Sequence, residues 1–202
     1  MSANGKRRHE KRATTITAIL DAAEKLFSER GFTGVSVRDI GAEAGVSHAL
    51  VHRYLGSKQD IYRAVLKRNE SSILQAAGDT EELSVAISGM LREGLEHRRP
   101  YLRIVAHSAL SGLPFSASMG RFPATERLIE IAEQRAVAAA GEADELEPRF
   151  AIAAIVSLFV GWAAMEPWIL PAAGLDDLDE EAILEGLERV LLDLAARLLP
   201  EG

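Results

Sequence analysis

The 202-residue chain contains no cysteine. That absence excludes a disulfide framework, thiolate zinc or iron–sulfur ligation, and cysteine nucleophiles. Aromatic residues make up only 5% of the chain, and runs of β-branched residues are scarce while Ala, Leu, Glu and Arg recur throughout. This balance favours helix over sheet and predicts an all-α protein. Glycine-rich phosphate loops, a Gly-x-Ser-x-Gly elbow and a spaced carboxylate pair in a credible cleft are also missing, so no enzyme chemistry is supported and no cofactor is expected. No apolar core of the signal-peptide kind follows Lys6, Arg7, Arg8, Lys11 and Arg12. The most apolar stretch, Phe150 to Met165, is bounded by Arg149 and Glu166. It falls short of the roughly 20 residues a membrane span needs. It reads as a buried helix, with no membrane partner and a cytoplasmic location expected. Asn69-Glu70-Ser71 matches a glycosylation sequon but is too short a pattern to carry weight.

What is present is a charge split. Residues 1–70 hold 13 Lys and Arg against 8 Asp and Glu, whereas residues 71–202 hold 10 against 22, within a net charge of -7. One end is suited to a polyanion. With 48% apolar residues the chain can bury a sizeable core, and no internal repeat is found.

Residues 1–13 are polar and basic without periodicity and read as a disordered arm, either a solvated tail or a DNA contact. From Thr14, the positions Ile16, Ile19, Leu20, Ala23, Leu26 and Phe27 follow helical spacing, with Gly31 as a stop. Ser36 can cap a second helix over Val37 to Ala44, with Asp39 three residues on, and Gly45 breaks it. Ser47 can cap a third, His48 to Leu55, before a fourth opens near Lys58 and runs toward Leu74. Breaks at Pro100, Gly112-Leu113-Pro114, Pro123, Gly141, Pro148, Pro167 and Pro171 to Gly174 divide the remainder into about five further helices. The expected domains are residues 14–58 and residues 59–202.

The run from Ser36 to Leu55 has the physical makings of a helix-turn-helix. Ile40 and Ala44 face the core, Gly45 permits a tight turn, Val46 plugs the junction, and Ser47 starts a helix whose exposed first turn can enter a major groove. The pattern Ala22-Ala23, Leu26-Phe27, Gly31-Phe32, Ser36-Val37-Arg38-Asp39-Ile40, Ala44-Gly45-Val46-Ser47 and Tyr54 with Ser57-Lys58 resembles the TetR family of transcriptional regulators over roughly residues 14–66. The resemblance implies a three-helix DNA-binding head and a divergent helical domain that binds effector. It implies phosphate contacts from Ser36, Arg38 and Lys58, base contacts from Ser47, His48 and Ala49, and a backbone contact from Tyr54. Ala49 stands where the family often has Gly, and Leu55 where it usually has Phe. His52 replaces a usual Tyr, placing an imidazole able to donate to phosphate or base. Capping for the two serines, packing for Tyr54, and solvation for Arg38 and Lys58 are the competing ordinary roles.

His48 and His52, four apart on one helix, have the spacing of a zinc pair, but position 49 is Ala rather than Glu and no third ligand lies nearby in sequence; no metal is assigned. In the C-terminal region Arg103, His107, Phe115, Phe122, Phe159, Trp162 and Met165 are candidates to line a mainly apolar ligand pocket. The Phe150 to Met165 helix and the last helix need a partner surface. Ile152, Val156, Phe159, Ile183, Leu187, Val190, Leu191 and Leu194 are the candidate contacts of a homodimer. The combined expectation is a ligand-responsive repressor on a near-palindromic double-stranded operator, released by a small apolar effector. The rival is a helical scaffold or adaptor without specific DNA binding.

Overall fold

Helix runs through most of the basic segment that the sequence pattern leaves as a disordered arm. In the computed structural model, which describes residues 3–113, 120–140 and 146–199, α1 spans Ala3–Arg30. Lys, Arg and Ala are good helix formers, and elongation from an anchored helix avoids the cost of a new nucleus. Thr14 and Thr15 turn their hydroxyls back onto the carbonyls of Glu10 and Lys11 at 3.0 and 2.8 Å. The remaining helices are α2 (Val37–Glu43), α3 (His48–Leu55), α4 (Lys58–Ala77), α5 (Leu83–Arg92), α6 (Arg99–Leu110), α7 (Pro123–Ala140), α8 (Leu146–Ala173) and α9 (Glu180–Leu198), with a π-helical turn, Glu93–His97, between α5 and α6. Among the described residues there is no strand, and the all-α expectation holds.

Pro167 and Pro171 both lie inside α8, so the break expected at Pro167 is absent, whereas the one expected over Pro171 to Gly174 falls at the C-terminal end of the helix. Both are exposed; each removes one ladder donor and sets its ring against the carbonyl four residues back, yet the helix continues through them. The helix stops instead at Gly174, whose φ is +67°. There Leu175 N–H donates to the Leu170 carbonyl at 2.8 Å and Gly174 N–H to that of Pro171 at 3.2 Å, the paired bonds of a Schellman end. At 28 residues, α8 is long and apolar enough by length and composition to cross a membrane. The helix is therefore not too short to span, contrary to the sequence expectation. The expectation of a buried helix also fails, because Phe150, Leu158, Met165 and Trp168 are largely exposed on the single chain.

The chain forms two compact units, one holding α1 to α3, α4 as far as Arg68 and the chain from His107, the other holding residues 69–106 and 121–202. The head thus extends beyond the expected limit at residue 58. Its core is built from Ile19, Ala23, Leu26, Phe27, Val35, Ile40, Val51, Ile61, Tyr62, Val65 and Leu66.

The second unit buries a carboxylate. Glu70 is 4% exposed, accepting from Tyr101 Oη at 2.6 Å and from Ala124 N–H, in the first turn of α7, at 2.8 Å. It therefore serves as a cap supplied by a distant helix. Burial raises its pKa, opposed by these two hydrogen bonds. A carboxyl raised in the folded state contributes stability that is full below its unfolded value and lost as pH rises through the folded one. Glu70→Gln, which can keep both partners, is expected to gain stability relative to the wild type as pH rises from 4 toward 7. Denaturant unfolding at a series of pH values checks this; a difference independent of pH would contradict it.

Candidate nucleic-acid interface

The turn between α2 and α3 is set by backbone chemistry. Gly45 has φ +68°, a left-handed conformation that costs glycine little. Gly45 N–H reaches the Ala42 carbonyl at 3.2 Å and Val46 N–H that of Gly41 at 2.9 Å. Gly41 is required for space as well: a Cβ there would lie 2.9 Å from the Val46 carbonyl oxygen and 3.3 Å from His48 N. Ser47 caps α3, its hydroxyl oxygen accepting from Leu50 N–H at 3.3 Å. Val51 is fully buried and pins the inner face of α3, leaving Ser47, His48, Ala49, His52 and Arg53 exposed. Positions 48, 49, 52 and 53 share one side at helical spacing. Arg53 was missed by the sequence reading, although its place four residues after Ala49 on a helix with no acid was available as a signal.

Three residues expected to face phosphate differ in what they have free. Arg38 is exposed on α2. Ser36 is committed locally: its hydroxyl donates to Asp39 Oδ2 at 2.6 Å and accepts from Asp39 N–H at 3.2 Å, while its own N–H donates to that carboxylate at 2.8 Å. Those bonds hold the Asp39 carboxyl below its usual range. Lys58 is half-buried, with Nζ donating to the carbonyls of Phe32 at 2.8 Å and Val35 at 3.0 Å and lying 4.3 Å from the Phe32 ring centroid. It straps the α1–α2 connection to the start of α4. Lys58→Ala is expected to destabilise the DNA-free protein by about 1.5–3 kcal/mol, the worth of hydrogen bonds from a charged donor. Unchanged melting together with a salt slope of DNA binding lowered by about one would return Lys58 to a phosphate role.

Beneath this surface, Phe27, Phe32 and Tyr62 pack with ring centroids 5.0–6.1 Å apart, and Tyr62 Oη shares a hydrogen bond with Ser108 Oγ. Arg68 on α4 pairs with Asp21 at 2.6 Å and with Glu24, tying α4 to α1. Lys25 pairs with Glu43 at 2.6 Å, tying α1 to α2 and lowering the Glu43 pKa. The result is a braced three-helix head presenting one short helix outward. Among the described residues no group of three His, Asp or Glu side chains comes together to hold a metal.

Residues 19–65 match the family model of bacterial regulatory proteins, tetR family. HTH-type transcriptional repressor Rv3405c of Mycobacterium tuberculosis is 30% identical over 167 residues, covering 83% of this chain and 81% of that protein. This chain belongs to the TetR family. HTH-type transcriptional regulator BetI of Agrobacterium fabrum is 37% identical over 78 residues, 35% of this chain and 38% of that one. Among solved structures, transcriptional regulator SCO4942 of Streptomyces coelicolor superposes with a TM-score of 0.66 at 21% identity, covering 93% of this chain and 99% of that one. A TetR-like regulator from Rhodococcus sp. RHA1 does so at 0.63 and 23%, covering 92% and 95%. The fold is shared throughout, and the activity is DNA-binding transcriptional regulation rather than enzyme catalysis.

In the second unit of this TetR-family regulator, the candidate ligand residues separate. Arg103, Met165 and, in the head unit, His107 are exposed, while Phe122 is half-buried. Phe115 lies outside the described residues. Phe159 and Trp162 are half-buried on α8, and the Phe159 ring lies so close to Gly94 of the π-turn that a Cβ there would come within 2.2 Å. One turn beyond Trp162, Glu166 is 9% exposed and accepts from Arg99 at 2.5 Å. Trp162 Nε1 and Glu166 Oε2 are buried without a hydrogen-bond partner among the described residues. Sequence reading found the tryptophan but not the carboxylate.

The candidate dimer contacts also divide. Ile152, Leu187 and Leu191 are buried within the chain's own core at 0%, 7% and 1% exposure and are not available to a partner. Val156, Phe159, Ile183 and Leu194 are half-buried, and Val190 is 58% exposed. The exposed apolar stripe on α8 is instead Phe150, Leu158, Met165 and Trp168, on the opposite side of the helix from Ile152, Val156 and Phe159 at about 100° per residue.

Proposed function

We propose that the protein is a cytoplasmic, homodimeric repressor that reads a near-palindromic operator with α3 and releases it on binding a small, mainly apolar effector. The observation that carries the DNA half is the capped, acid-free α3 held out from a braced head, with His48, Ala49, His52 and Arg53 on one exposed side. His48 and Ala49 meet base edges, and Arg38, Arg53 and Tyr54 meet the backbone, since phosphate contacts position and base contacts specify. Ser47 approaches the bases while capping α3. His52 donates to phosphate or base. The dimer is supported by the exposed apolar side chains Phe150, Leu158, Met165 and Trp168 on α8 and Val190 on α9, since large apolar residues left exposed on a single chain mark interfaces when they cluster and homodimers close by two-fold symmetry. Repression is supported by the name of the Mycobacterium tuberculosis relative.

For the effector, the support is Trp162 Nε1–H and Glu166 Oε2, a buried donor and a buried acceptor without partners among the described residues, carried by residues one helical turn apart on α8. A hydroxyl or an undissociated acid on an apolar body satisfies both. Transcription in vitro from a template with the bound site placed over the promoter tests the reading: protein should lower it, and a hydroxylated effector should restore it. Linkage requires the effector to bind operator-bound protein more weakly by the factor it weakens DNA, typically 5-fold to 150-fold. Equal affinity for free and operator-bound protein would exclude this mechanism.

A further inference from the structure

We propose that the first turns of α1 form a second DNA-contact surface, with Arg7, Arg8 and Lys11 neutralising phosphates that flank the bases read by α3. The proposal rests on DNA binding through α3 and adds to it a sequence-independent extension. Because α1 is helical from Ala3, its basic residues have fixed directions. At about 100° per residue, Arg7, Arg8, Lys11 and Arg12 fall within a sector of roughly 140°, and Glu10 falls outside it. All four are exposed, and none is ion-paired among the described residues.

The stripe is continuous with the reading surface. The Arg12 guanidinium lies over the Tyr54 ring, 5.7 Å from its centroid, a cation–π distance, and Tyr54 is in the last turn of α3. Arg7 to Arg12 spans about 7.5 Å of helix at roughly 1.5 Å per residue. Four charges over that length approach the density of the duplex, about one phosphate per 1.7 Å of axis. A merely solvated face would gain nothing from this arrangement, since Arg7 with Lys11 and Arg8 with Arg12 are like charges at i, i+4, which weakens a helix. Phosphates turn that repulsion into attraction.

The experiment uses the full chain and a duplex recovered by selecting bound sites from random DNA, prepared with long flanks and trimmed to the selected sequence. Arg7→Ala/Arg8→Ala/Lys11→Ala keeps helix propensity and leaves Arg12 on Tyr54. Relative to wild type it should lower the slope of log affinity against log salt by about 2 to 3 per head, abolish the advantage of long flanks, and leave base preference unchanged. Thr14→Lys, exposed at the edge of the same stripe, should steepen the slope by about one. Melting and helical circular dichroism verify that both variants fold. A triple variant with the wild-type slope and flank dependence would overturn the proposal, as would an altered base preference. Failure of the wild type to enrich any sequence would instead remove the α3 reading on which it rests.

Discussion

Leu158→Asp combined with Val190→Asp is expected to give a folded monomer that has lost about three orders of magnitude or more in operator affinity. The two side chains are 48% and 58% exposed on the single chain, so a charge at either position stays hydrated in the monomer. Buried against a partner, the same carboxylates would be unpaired ions in an apolar seam, where desolvation costs several kcal/mol per charge. A lone head makes half the contacts and loses the gain from engaging two half-sites at once. Affinity should then fall toward the non-specific range, commonly at least 10³-fold weaker. Sedimentation gives the mass and DNA titration the affinity. A double variant that remains dimeric, or a monomer that binds the operator as tightly as wild type, would reject this interface.

His48→Ala and Ala49→Gly should change which bases are preferred rather than how strongly DNA is held in general. Both residues are exposed in the first turn of α3, the part of a recognition helix that meets base edges. Losing an imidazole contact at position 48 should cost about 1–3 kcal/mol against the preferred base pair and little against its variants. Ala49→Gly removes a methyl suited to a thymine methyl and should relax preference at one neighbouring position. Titration against single-base operator variants separates this from a phosphate role, for which the loss would be uniform across them.

The helix-turn-helix was legible because its determinants are local: Gly45 supplies the left-handed turn and Ser47 the cap, both within three residues. Lys58 was legible as a residue but not as a strap. The carbonyls it holds belong to Phe32 and Val35, 26 and 23 residues earlier. Glu70 left no signal, since the N–H it caps belongs to Ala124, 54 residues later. The start of α1 was missed because a polar stretch without apolar periodicity reads as coil, although its residue types favour helix once an anchored turn exists. On α8 the difficulty was rotational. A helix apolar nearly all round carries no phase, so Ile152, at 0% exposure, was assigned to the partner side and Leu158, at 48%, was not. Pro167 misled in the same region because proline disfavours a helix interior, yet α8 continues through it.

Selection of bound sites from random duplex DNA by the full-length protein tests the central claim most directly. A two-fold dimer reading with α3 must enrich an inverted repeat whose half-sites are about one helical turn apart, roughly 34–36 Å, or a multiple of it. The same sequence should be recovered when Lys6, Arg7 and Arg8 are removed and should change when His48 is replaced. An asymmetric single site, or no enrichment at all from a folded and dimeric preparation, would contradict the account.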